Sequence, residues 1–357
     1  MRAINAPARS PGRRDAATTS SETVPAFVRS TGATMQQAGN VNVIVGMAAM
    51  VAVLAAATPQ ASAVDLLKLA TAQRGAWESA PPELGQSVGI FAKHGIDLDV
   101  VYTRDGEVEP SVTSGGTDVG VGVGTIGVLR AYAKGAPVRV IGANMTGTAN
   151  YWYVQANSPI KTVKDINGKT IAYWTSNPAS RYDVFDLIKQ YSLKARPTII
   201  GGAAVTFNQV MSGHVDVGWA EAPFGVEAVE QGKIRVVARA IDIPAIRRDT
   251  VRVVITNVDT LQKRKDVLAR FMQAYRETID WMYSDPAALK RYAEFAGVSE
   301  AFAQRLRDEF FTKNMLSPDK IVGLDAVMKE AITSRYLQTP LAKGQISELI
   351  QIPPPVR

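Results

Sequence analysis

Residues 112–120 read VTSGGTDVG and residues 210–218 read VMSGHVDVG, so the pattern V-x-S-G-x-x-D-V-G occurs twice. Each copy leaves a helical stretch and enters an apolar β-rich run, and each is preceded by a β-run (Ile96–Tyr102; Thr198–Ile200). The repeat predicts two α/β halves of similar topology, because one pattern used at the same point of two units encodes one local backbone path. Strand and helix alternate through the first half. Leu66–Ala70, Ile96–Tyr102, Val119–Val123 and Val138–Ile141 read as strands, Pro81–Lys93 and Ile126–Lys134 as helices. Such alternation indicates a mostly parallel sheet flanked by helices. After the second half a β-run at Val251–Thr256 leads into helical stretches at Asp266–Tyr283, Pro286–Ala296, Glu300–Phe311 and Pro318–Ser334. A first half interrupted by a second implies two crossing strands, near 151–157 and 250–256, and hence a hinge. The expected fold is α/β and two-lobed, each lobe a mostly parallel sheet with helices. Residues 64–156 form the first part of lobe 1, 157–250 form lobe 2, and 251–357 complete lobe 1.

Residues 1–63 stand apart. Thr31 to Val64 carry no charge, and within them Val43–Ala57 reads VIVGMAAMVAVLAAA, followed by Ala61-Ser62-Ala63. Upstream arginines, an apolar run and an A-x-A exit make an export signal. The apolar run is shorter than the roughly 20 residues a membrane span needs. The expectation is a signal peptide or N-terminal extension, cleaved after Ala63, and a periplasmic protein. With no cysteine and only His94 and His214 as imidazoles, disulfides, thiolate metal sites and most His-based triads are excluded. The net charge of +7 is dispersed among acids, which does not make a nucleic-acid face.

Ligands of open α/β sheets bind outside the carboxyl ends of the strands. The repeat aligns Val123-Gly124-Thr125 of the first half with Glu221-Ala222-Pro223 of the second, so two such edges face each other. Residues 122–127 match G-x-G-x-x-G, yet no acid occurs between Val119 and Lys164, which excludes dinucleotide binding. What remains at Gly124 and Thr125 is a tight strand–helix turn, or backbone N–H groups holding a polar group. Trp174-Thr175-Ser176 ends a strand, and Ser180 with Asp183 has capping-box spacing before a helix through Tyr191. These hydroxyls either cap the helix or meet an anion, with Arg181 as a bidentate partner or a solvent-exposed charge. Trp77 and Trp174 are either core side chains or flat walls for an aromatic ligand. Glu78 and Glu221 are turn acids that are either solvated or bind an amine. His94 and His214 read as structural.

The succession LKLATAQ, GIFAKHGIDLDV, SGGTDVGVG, GAPVRVIG, SPIKTVKDINGKTIAYW and SGHVDVGWAEAP resembles exported substrate-binding proteins of ABC importers. The family is the one for nitrate, sulfonate, taurine and pyrimidine precursors, and the similarity runs from about Leu66 to about Tyr336. It implies a type II periplasmic-binding-protein fold and a monomer without cofactor. That monomer captures a small organic solute between its lobes and delivers it to inner-membrane permease subunits. The ligand-binding residues expected are Trp77, Glu78, Gly124, Thr125, Asn144, Trp174, Thr175, Ser176, Ser180, Arg181 and Glu221, with no catalytic or metal-binding residue. The alternatives are an enzyme resembling the family's pyrimidine-precursor synthases, whose chemistry uses histidine and a cysteine-rich motif, or a ligand sensor.

Overall fold

The computed structural model describes residues 64–355, apart from 73, 105 and 175–177; for 178 and 179 only the backbone is described. The expected export signal lies outside the described residues. Ten strands are present among them: β1 (Asp65–Thr71), β2 (Ile96–Tyr102), β3 (Val119–Gly124), β4 (Val138–Thr146), β5 (Asn150–Gln155), β6 (Thr170–Tyr173), β7 (Arg196–Ile199), β8 (Gly218–Glu221), β9 (Ile234–Arg239) and β10 (Thr250–Asn257). The first sheet has the order β2-β1-β3-β10-β4, with β10 antiparallel to both its neighbours. β8-β5-β9 form a second sheet in which β5 is the antiparallel strand. β6 and β7 pair in parallel, and a parallel bridge from Ile171 to Val217 sets β6 beside β8. The second half therefore runs β7-β6-β8-β5-β9. Its order matches the first half strand for strand: second, first, third, crossing strand, fourth.

The repeated motif explains why. Gly115 and Gly213 both sit at φ 77°, the left-handed conformation that ends a helix at low cost only for glycine. The N–H groups of Gly116 and Thr117 return to the Ser111 carbonyl, and those of His214 and Val215 return to Gln209. Each motif aspartate then ties its strand to the neighbouring one. Asp118 Oδ2 accepts from the Lys68 N–H of β1 at 2.9 Å, and Asp216 Oδ2 accepts from the Thr170 N–H of β6 at 2.8 Å. The motif is thus a turn-and-clamp that launches the third strand of each sheet.

One boundary differs from expectation. β5 belongs to the second sheet, so the first crossing falls between β4 and β5, ahead of residue 156. Tyr151, Trp152, Tyr153 and Val154 are all buried, as a central strand covered on both faces requires. The helix expected over Pro81–Lys93 is broken into Pro81–Ser87 and Ile90–Lys93. At β2, an edge strand, Ile96 and Leu98 face the core while Asp97 and Asp99 are exposed, a charged edge that discourages further pairing. Among the described residues no helix is long and apolar enough to cross a membrane.

Candidate functional site

Antiparallel pairing puts the start of each crossing strand at the carboxyl end of its neighbours. Arg252 of β10 lies opposite Gly124 of β3, and Asn150 of β5 lies opposite Glu221 of β8. At this edge the Arg252 guanidinium lies 3.9 Å from a carboxylate oxygen of Glu78 and 3.7 Å from one of Glu221. It also donates to the Gly122 carbonyl at 3.3 Å. Glu78 follows β1 of the first sheet and Glu221 ends β8 of the second, so one cation joins acids from both halves. The Glu78 side chain is only 9% exposed, against about a third for the other two. Burial pushes the Glu78 carboxyl above its ordinary range; Arg252 opposes that shift and Glu221 adds to it.

A second buried acid stands at the first crossing. Asp183, on the helix Pro178–Tyr191, accepts from Thr148 Oγ1 at 2.7 Å and from Asn150 Nδ2 at 2.6 Å. Burial raises its carboxyl to about 7; the two hydrogen bonds partly offset this, and Glu221 and Asp186 add to it. The folded chain thus holds this proton more tightly than the unfolded one, whose aspartate titrates at its ordinary value of 3.8. Stability from this group is greatest in acid and falls as pH rises from about 4 to about 7. Glu330, also raised to about 7 by burial, acts with the same sign. Denaturation at about pH 5 and about pH 8 will show a smaller loss of stability in Asp183→Asn than in the natural chain. An equal loss in both would contradict this account of Asp183.

Gly122 shapes the floor of the site. Its φ is 79°, and a Cβ there would meet Ser79 Oγ at 2.8 Å with Asn144 Oδ1 at 3.9 Å. Asn144 is fully buried and donates through Nδ2 to the Glu78 carbonyl at 2.7 Å and to Tyr275 Oη at 2.9 Å. It holds the loop that carries Glu78.

Several expected site residues are placed differently. Trp77 is 0% exposed, and its ring packs on Tyr292 with centroids 4.5 Å apart while Nε1 donates to Tyr283 Oη. It is a core side chain and not a wall open to a ligand. The Thr125 hydroxyl turns inward and donates to the Thr250 carbonyl at 2.7 Å. Ser180 Oγ is buried and exchanges hydrogen bonds with the N–H and carbonyl of Trp174, so it closes the turn before its helix. Asp183 points to the crossing, where Thr148 and Asn150 donate to its carboxylate. Arg181 is exposed and lies over the Phe185 ring at 5.6 Å. Trp174 is 36% exposed, and Gly124 borders open space. Thr175 and Ser176 lie outside the described residues. Trp152 and Trp219 face each other across β5 and β8, buried one pleat inward from Asn150 and Glu221. Among the described residues His94 pairs with Glu277 and His214 with Ser212. Sequence reasoning missed Arg252 and the Asp183–Thr148–Asn150 cluster.

Two sheets of this order, joined by two crossings, define a periplasmic-binding-protein fold. The chain is similar to the periplasmic aliphatic sulphonate binding protein SsuA from Escherichia coli, with TM-score 0.64 at 19% identity. The match covers 82% of this chain and 94% of that one. The fold also carries an enzyme: the desulfurization enzyme DszB matches with TM-score 0.57 at 17% identity, over 78% of this chain and 95% of DszB. The family is equally plain. Residues 78–289 match the NMT1/THI5-like family, and the chain belongs to it. A curated relative, the 4-amino-5-hydroxymethyl-2-methylpyrimidine phosphate synthase of Uromyces fabae, is 26% identical over 272 residues, covering 69% of this chain and 76% of that protein.

Proposed function

We propose that this chain is the exported solute-binding component of an ABC importer. Its two lobes close over a small organic solute, of sulfonate, nitrate or taurine type or aromatic and pyrimidine-like, and present it to a membrane permease. The observation that carries this reading is the Glu78–Arg252–Glu221 contact, in which polar groups from both sheets meet at the edge where the strands end. A solute that touches both lobes is bound best when they are together, and that differential affinity is what shifts the population toward closure. The hinge follows from the two crossings between the sheets. A micromolar complex needs about 8 kcal/mol in all, within reach of a few charge-assisted hydrogen bonds at about 1.5–3 kcal/mol each.

The second reading is a synthase, favoured by the Uromyces fabae relative. The family's synthases resemble this chain but use a cysteine-rich motif, and this sequence has no cysteine. The two readings part on turnover. Mass spectrometry of a bound solute after prolonged incubation is expected to return it unchanged, and a stoichiometric product would establish the synthase instead.

A further inference from the structure

Two helices from different halves meet beside the crossings. The helix Pro178–Tyr191 follows β6 of the second half, and the helix Leu324–Thr333 buries Val327, Met328 and Ala331 in the core of the first. Tyr182 Oη of the former lies 3.4 Å from Ser334 Oγ at the end of the latter. Four acids from three elements gather beside this contact. Asp183 and Asp186 are on the second-half helix, Glu330 is on the first-half helix, and Asp249 ends the second crossing, between β9 and β10. Thr148 and Asn150 hold Asp183 on the first crossing, and both donate to Oδ2, which leaves Oδ1 for a proton. Asp249 lies against the start of the helix Leu324–Thr333, where a Cβ on Gly323 would overlap its carboxylate. Thr250, next in the chain, exchanges two hydrogen bonds of 3.0 Å with Val322 there.

These acids face one another more than they face cations. Asp186 acts on Asp249, both act on Glu330, and Asp186 and Glu221 act on Asp183. The opposing charges are Lys189, on the second-half helix, and Arg248, beside Asp249. No ion pair joins either cation to any of the four among the described residues. Burial raises all four carboxyls, Asp183 and Glu330 to about 7, so protons leave this contact as pH rises through neutrality. The like charges then left in place repel. We infer that the four acids form a proton-operated latch between the halves. Protonated, they let the two helices rest on each other; ionised, they push them apart, and the halves turn about the crossings. Each helix is rooted in a different half, so a change at this contact becomes a change of angle between the two sheets. The latch concerns the hinge alone and does not depend on which solute is captured.

The chain has no cysteine, so Gln190→Cys and Ala326→Cys, at exposed positions of the two helices, accept a pair of nitroxide labels and no others. Double electron–electron resonance at about pH 5 and about pH 8 reads the separation of the labels on either side of the titration. A longer separation is expected at the higher pH, with the near-ultraviolet circular dichroism unchanged. Asp186→Asn combined with Glu330→Gln, isosteric and uncharged, should remove most of the lengthening. If that double variant fails to fold, Glu330→Gln alone carries the same comparison. A separation equal at the two pH values would overturn the inference, as would full lengthening in the uncharged variant. Lengthening that comes only with loss of the near-ultraviolet signal would be unfolding, and would overturn it too.

Discussion

Trp77→Ala will destabilise the protein by about 3–5 kcal/mol, the range for emptying a buried tryptophan site. The indole is fully buried, packed at 4.5 Å on Tyr292 and edge-on at 6.0 Å to Tyr283. Its N–H donates to Tyr283 Oη, which in turn donates to the Phe311 carbonyl at 2.6 Å. Truncation leaves a cavity between the loop after β1 and the C-terminal helices, and removes the first link of that chain. Trp77→Phe keeps most of the ring contact and should recover most of the loss. Chemical denaturation reads both variants, and a cost below about 1 kcal/mol for alanine would contradict a core role.

Arg252→Met is the second large effect. Removing the guanidinium leaves Glu78 buried beside Glu221 with no neutralising charge. A fully buried pair broken this way costs about 3–5 kcal/mol. Arg252 and Glu221 are each about one-third exposed, so solvent screens part of this. The expected loss is about 1–3 kcal/mol, the cost of leaving a buried polar group without its partner, measured by denaturation at neutral pH. Adding Glu78→Gln to Arg252→Met should restore part of it by removing the stranded charge. If the double variant were no more stable than Arg252→Met, the two side chains would not be energetically coupled.

What the sequence disclosed follows from how local each interaction is. The repeated motif was legible because it encodes backbone contacts within a few residues: the helix-ending glycines at 115 and 213, and the aspartates that clamp the next strand. Its alignment of Val123-Gly124-Thr125 with Glu221-Ala222-Pro223 located the edge where the polar groups gather. The crossing strand expected near 151–157 corresponds to β5, Asn150–Gln155, yet nothing local says which sheet a doubly buried strand joins. The environment of Trp77 is built by Tyr283 and Tyr292, far along the chain, so spacing alone could not separate a core ring from a cleft wall. Asp183 had capping-box spacing from Ser180, but its partners Thr148 and Asn150 come from the crossing. Arg252 carried a signal that went unread. It is a charged side chain in the otherwise apolar run VRVVI, on a strand placed between β3 and β4, and such a charge needs a partner.

Small-angle X-ray scattering across a solute titration tests the central claim most directly, since capture between two lobes on a hinge requires the molecule to compact as it binds. The account predicts that the radius of gyration falls with the same midpoint as the calorimetric binding curve, while the solute is recovered unchanged. A solute that saturates the protein at constant radius, or leaves it chemically altered, would contradict it.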